Sequence, residues 1–179
     1  MDYYEEIINI VQVNEKDEIV GPIERWKAHK ENILHRALTI AIFFGGKVLL
    51  QHRKHPVFNS VFDMSISTHQ IYDGERLIDD NQSIGSALKR EFDINYSDLI
   101  KKPQFKGKVM YQFDDPQSKF FEREICYLYS CETKTLPQVN YDFAYGFSLM
   151  DLDELKQHES PVFPLLAPWV KEIINNEII

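Results

Sequence analysis

A chain of 179 residues, 44% hydrophobic and 13% aromatic, is long enough to bury one sizeable core and too rich in aromatics to stay disordered. Its formal net charge of -8 disfavours sequence-independent binding to nucleic acid or to an anionic membrane, because the field of the whole molecule repels both. The two cysteines, Cys126 and Cys131, lack the second pair that a zinc ribbon needs and fit a reduced, cytoplasmic setting.

The N-terminal stretch MDYYEEIINIV has no basic n-region and no long apolar core, so no signal peptide is expected, and no segment is long enough to span a membrane. Without repeats, low-complexity segments or a composition shift, residues 1–179 read as a single domain. IINIVQVNEKDEIV reads as strand, turn and strand, and LTIAIFFGGKVLLQHR as two strands around Gly45-Gly46. The first of that pair, Leu38 to Phe44, is apolar on both faces, as a central strand should be. MSISTHQIYDGE is a β-like run ending at His69, two residues after Ser67, with the turn signal Asp73-Gly74 beyond.

QSIGSALKREFDI predicts a helix whose apolar stripe is Ile84, Ala87, Leu88, Phe92 and Ile94, with Ser86, Lys89, Arg90 and Asp93 opposite. FKGKVMYQF and EREICYLYSC predict strands joined through the turn DDPQSK, and YGFSLM predicts another. DLDELKQH opens on an Asp N-cap, and LLAPWVKEIINN makes a C-terminal helix that tolerates Pro168 near its start. Strands with interspersed helices predict an α+β class, arranged as an α/β/α sandwich.

Three features carry possible chemistry. Glu91 falls within the apolar stripe of its helix, where a carboxylate must be paired, protonated or metal-bound; pairing with an arginine at an edge is the plain alternative. Glu122 and Glu124 share a strand face, where they repel unless a cation or a shared proton relieves them, or unless both are solvated. His29, His35 and His69 complete a donor set sufficient for a divalent cation, a mixture suited to Mn, Zn or Fe, and to Mg if carboxylates dominate. His52, His55 and His158 have no such company and are assigned no role.

Taken in order, these residues resemble the type I isopentenyl-diphosphate isomerases of the Nudix superfamily, from about Val13 to Trp169. LHRALTIAIFFGGKVLLQHR is similar to that family's strand pair after its second metal histidine, STHQ stands at its Cys-x-His, FEREICYLY at its Glu-x-Glu, and APW at its late Pro-Trp. The resemblance implies a Nudix-like α/β/α sandwich with a mixed sheet, and a metal site of His29, His35, His69, Glu122 and Glu124. It also implies that Glu91 helps hold a second, substrate-linked Mg, that Tyr111 and Trp169 line an isoprenoid pocket, and that Arg25 and Arg53 grip a diphosphate. Lys54 lies near the place of a further lysine of that family. The implied reaction converts isopentenyl diphosphate to dimethylallyl diphosphate through a tertiary carbocation-like state, with Glu124 or Tyr111 supplying the proton and Trp169 facing the cation.

Two departures matter. Ser67 stands in the place of the catalytic cysteine, and a hydroxyl is a far poorer acid than a thiol. The superfamily's helix carries Arg-Glu-x-x-Glu-Glu followed by Gly, and those places hold Ser86, Ala87, Arg90, Glu91 and Asp93 here, which disfavours ordinary Nudix hydrolysis. The isomerases lack most of those carboxylates too, but a basic residue of theirs that touches the diphosphate corresponds to Ala87. The expected activities are therefore isomerisation weakened by Ser67, hydrolysis of another small diphosphate, or diphosphate binding without catalysis.

Overall fold

The computed structural model describes residues 3–179. Among them the elements run β1 (Asn9–Val13), β2 (Ile19–Glu24), α1 (Arg25–Lys30), β3 (His35–Phe44), β4 (Lys47–Arg53), β5 (Phe62–Met64) and β6 (Ile66–His69). A small hairpin of β7 (Tyr72–Asp73) and β8 (Arg76–Leu77) turns through Gly74, whose φ of 62° suits glycine, where the sequence signals a turn. Then come α2 (Asp80–Phe92), β9 (Leu99–Asp114), β10 (Phe121–Thr133), β11 (Ala144–Met150), α3 (Leu152–Leu155) and α4 (Pro168–Asn175).

Strand β3 organises the sheet. Parallel β10 runs along one edge, from Glu124 opposite His35 to Glu132 opposite Phe43. Antiparallel β1, β6 and β4 pair with β3 at Gln12–His35, at Ala37–His69 through Ile40–Ile66, and at Phe43–Val48. Even-numbered β3 side chains Leu38, Ile40 and Ile42 pack with Ile66 against Ile84, Ala87, Leu88 and Phe92 of α2. Odd-numbered Ala37 and Ala41 belong to a second cluster with Cys126, Leu128 and the α4 residues Trp169, Val170 and Ile173. A mixed sheet with helices on both faces is the sandwich that the sequence predicts.

Several elements differ from the sequence reading. Helix α1, not predicted, is too short for a periodic pattern and is held by its cap: the Glu24 carboxylate accepts from the backbone N–H of Trp26 and Lys27 at 2.9 and 2.7 Å. Helix α2 starts two residues early because Asp79 caps it, accepting from the Gln82 N–H at 3.0 Å. Strand β9 extends back to Leu99 through Pro103, which is tolerated because β9 pairs only with β10 and leaves its other edge free. Among the described residues no helix is long and apolar enough to cross a membrane.

Both cysteines are free and buried, and burial pushes each thiol up to about 12. At pH 8 only about one part in ten thousand is thiolate. Native protein should therefore leave a disulfide-exchange reagent such as DTNB unreacted over an hour at pH 8, with two thiols titrating once denaturant is added; rapid native labelling of either would contradict this packing.

Candidate active site

The register of β3 builds the site. On its odd-numbered face, His35 sits opposite Glu124, which in turn sits opposite Tyr111 of β9. One step along, Ala37 lies between Cys126 and His69; the next step puts Thr39 opposite Ser67. Ala37 is small enough to leave a hollow between the larger side chains, and it lines a narrow cleft whose water-accessible space is about 30 Å³. Helix α1 adds His29, buried against the imidazoles of His35 and His69 with ring centres 4.8 and 5.3 Å away.

His29, His35, His69 and Glu124 offer ligand atoms that all lie within 4.8 Å of one another. Their hydrogen bonds fit a cation. Nδ1 of His29 contacts the Phe121 carbonyl at 2.9 Å, and Nδ1 of His35 the Ile33 carbonyl at 2.7 Å. A carbonyl only accepts, so both Nδ1 atoms carry protons; Nε2 of His29 is then left with a lone pair, while the contact of His35 Nε2 with Glu124 needs a proton that a bound cation would displace. Nε2 of His29 is buried without a partner, and Nε2 of His35 faces Glu124 Oε1 at 3.1 Å, where His69 Nε2 also arrives at 3.2 Å. Three nitrogens and a carboxylate oxygen could hold Mn, Zn or Fe, with backbone carbonyls orienting two of the rings from behind.

Four groups of this site are moved from their ordinary values, His29, His69, Glu122 and Glu124. Burial depresses the His29 imidazole well below normal, aided by His35 and His69, and takes His69 down to about 4 although Glu124 pulls the other way. Burial opposes ionisation of Glu124 too, but hydrogen bonds from His35 and His69 outweigh it and hold this carboxyl well below its usual range. Burial and the neighbouring Glu124 raise Glu122 instead.

The other expected residues divide. Glu122 lines the cleft beside the cluster but outside its tight ligand set, with an oxygen 3.5 Å from His29 Nδ1. Glu91 lines the cleft and is held by Arg90 at 2.6 Å and by Gln51 Nε2 at 3.0 Å, so the arginine pairing weighed in the sequence is present within the site. Tyr111 donates to Glu124 Oε2 and stacks near Trp169, whose indole forms a wall. Arg25 lines the cleft, 2% exposed, and its Nη2 donates to the carbonyls of Tyr3 and Glu6. Arg53 also lines it, but ion-pairs with buried Asp63 at 3.2 Å. Lys54 does not reach the cleft: its ammonium donates to the Tyr141 carbonyl in a neighbouring surface hollow.

Sequence reasoning missed Asp63, Arg90 and His55. Asp63 is fully buried behind the cleft and accepts from Ser67 Oγ at 3.1 Å, Trp169 Nε1 at 2.9 Å and Arg53. Arg90, placed opposite the apolar stripe by the helical layout, curls into the cleft over the Tyr3 ring. His55, assigned no role, lines the cleft with its imidazole kept neutral by burial and by Arg53. A charged residue within the apolar run Phe62–Met64 is the signal that could have marked Asp63.

No protein-family model matches the chain. It is 27% identical over 154 residues to the isopentenyl-diphosphate Delta-isomerase of Pectobacterium atrosepticum, covering 84% of this chain and 80% of that one. Isopentenyl-diphosphate Delta-isomerase I of Clarkia breweri is also 27% identical, over 189 residues, covering 93% of this chain but 64% of that protein, so the chain spans less than two thirds of its length. Among solved structures, DR0079 from Deinococcus radiodurans matches with a TM-score of 0.66 at 16% identity, covering 94% of this chain and 98% of that one. A MutT Nudix hydrolase from Burkholderia pseudomallei matches at 0.54 and 17%, covering 79% and 96%. The fold is that of the Nudix superfamily. In sequence, the curated relatives it is similar to are isopentenyl-diphosphate Delta-isomerases.

The depressed imidazoles give the metal-free protein a defined pH response. His69 has a folded value of about 4 against 6.5 in an ordinary setting, so between those values the unfolded chain binds a proton that the native chain refuses. Native stability should fall as pH drops from 6.5 to 4, by on the order of 3 kcal/mol from this residue. Denaturant melts of chelator-treated protein at pH 7 and pH 5 measure it; equal stability at both would rule out neutral imidazoles.

Proposed function

We propose that the protein catalyses metal-dependent interconversion of isopentenyl and dimethylallyl diphosphate. The observation that carries this reading is the convergence of three imidazoles and the Glu124 carboxylate within 4.8 Å, in a cleft walled by Trp169 and reached by buried arginines. Likeness to curated isomerases supports it. His29, His35, His69 and Glu124 would hold a divalent ion, with Glu122 and Glu91 alongside; such an ion neutralises substrate charge and fixes the Glu124 carboxylate.

The remaining steps belong to side chains. Burial raises Tyr111 well above the ordinary phenol range, so it keeps its proton, which it shares in a hydrogen bond with Glu124. The Tyr111 hydroxyl proton is the one passed to the terminal alkene carbon; Tyr111 is left as a phenolate, whose high affinity for a proton favours its reprotonation before the next turnover. The Trp169 face steadies the tertiary cation, by about 2 kcal/mol or more when desolvated. Ser67 Oγ accepts the proton lost from the allylic carbon, while its own hydroxyl proton passes toward Asp63, already its hydrogen-bond acceptor. A serine is a poor acid in the reverse sense, so turnover is expected to be slow.

A hydrolytic reading rests on the three carboxylates Glu91, Glu122 and Glu124 lining one cleft. Against it, Ala87 and Arg90 stand where α2 would need further carboxylates for a Nudix hydrolase, and Ser86 where it would need an arginine.

Incubation of isopentenyl diphosphate with protein and Mn or Mg should yield the dimethylallyl isomer without phosphate release. Chelation should abolish it, Glu124→Gln should lower it at least a hundredfold, and Ser67→Cys should raise it at least tenfold. Absence of isomer with either metal, in wild type and in Ser67→Cys alike, would overturn the proposal; phosphate or nucleotide release from a diphosphate panel would favour hydrolysis.

A further inference from the structure

The cleft contains three guanidinium groups, and they are not equivalent. Arg53 is committed: Nη1 meets Asp63 Oδ2 at 3.2 Å, Nε donates to the Val57 carbonyl at 3.3 Å, and the cation packs over the Trp169 ring. Arg25 has no carboxylate partner among the described residues, and its Nη2 is satisfied only by two backbone carbonyls. Arg90 reaches Glu91 at 2.6 Å with Nη2 alone. Buried Nε atoms of Arg25 and Arg90 both lack a hydrogen-bond partner, and both guanidinium carbons stack on the Tyr3 ring, 4.6 and 4.2 Å from its centre.

Two buried, unspent N–H donors on permanent cations are costly unless an acceptor arrives. An anion with several oxygens, able to span two guanidiniums around one aromatic ring, is the acceptor that matches, since arginine recognises phosphoryl oxygens through its planar fork. The position three residues before Arg90 holds Ala87, packed in the core against Ile84 and Leu88 and unable to serve.

We infer that Arg90, together with Arg25, is the anion clamp of this cleft and holds the terminal phosphoryl group of a diphosphate, while Arg53 is the buried counter-ion of Asp63. This rests on the proposed function for the identity of the substrate, though not for the anion itself. Arg90 thereby supplies from the next turn of α2 a charge that position 87 lacks. Glu91 keeps its side chain aimed inward through one edge of the guanidinium and leaves Nε for the ligand.

Inorganic pyrophosphate is the probe, titrated calorimetrically into wild-type protein without metal and again with Mn. Wild type should bind it, more tightly with Mn than without, with Arg90→Ala weakening binding at least tenfold, Arg90→Lys keeping part of the affinity, and Arg53→Lys changing it less than Arg90→Ala does. Inorganic phosphate should bind more weakly than pyrophosphate. If Arg90→Ala isomerises isopentenyl diphosphate, KM should rise tenfold or more with kcat little changed, as loss of uniform binding requires. Circular dichroism of each variant identifies any that fails to fold, in which case Arg90→Lys and Arg90→Gln serve. Pyrophosphate binding that depends on Arg90 without isomerisation would sustain the clamp and refute the isomerase reading. Isomerisation with unaltered KM in Arg90→Ala, affinity within twofold of wild type, or no pyrophosphate binding at millimolar concentration would overturn the clamp.

Discussion

The site depends on keeping one carboxylate, Glu124, ionised inside the sheet. Without compensation, burial would drive it to bind a proton. His35 and His69 converge on one of its oxygens and Tyr111 on the other, and together they hold the charge in place. His35 and Tyr111 come from the strands on either side of β10, and His69 from β6 on the far side of β3, so the charge is sustained by β-pairing. A one-residue slip of β10 against β3 would turn Glu124 toward the apolar layer of Leu38, Ile40 and α2, where nothing could accept it. Glu124 therefore specifies the register that assembles the rest of the cleft.

The parts of this arrangement legible in sequence are those with a period. Alternation places Glu122 and Glu124 on one face, and a helical layout points Glu91 inward; both hold in the structure. His29, His35 and His69 can be gathered from the sequence only through a family resemblance, since their meeting depends on α1, six residues long with no periodic signature, and on two strands joined at long range. Arg90 is misread for a different reason. A helical wheel assigns directions to Cα–Cβ bonds, whereas a long side chain can leave the outer face and lie along an aromatic ring. Asp63 is lost because β5 is three residues long and resembles a loop between Pro56 and Ser65.

Asp63 also changes what Ser67 means. Its carboxylate accepts from Ser67, Trp169 and the Met64 N–H through one oxygen and from Arg53 through the other, so the hydroxyl proton of Ser67 already points away from the cleft. One Ser67 lone pair then accepts from Thr39 Oγ1 at 3.1 Å, which leaves the other for a ligand. A serine so held is poorly suited to donate and better suited to accept, with a carboxylate behind it to receive the displaced proton. Cys126 cannot take over the acid role: its thiol lies 3.1 Å from Thr39 Oγ1 in a different strand, and burial pushes it up to about 12.

The same cleft presents acceptors and donors without partners, and their segregation is informative. Nε2 of His29 offers a lone pair beside an ionised Glu124, a combination that attracts a cation; Nε of Arg25 and of Arg90 offer protons on permanent positive charge, a combination that attracts an anion. Neither half is easily satisfied alone in a protein whose net charge is -8, because a free diphosphate meets the overall field and the carboxylates Glu91, Glu122 and Glu124, while a free cation meets three arginines. A ligand carrying both signs, a divalent ion already joined to a diphosphate, satisfies the two sets together and brings far less net charge into the cleft than either component.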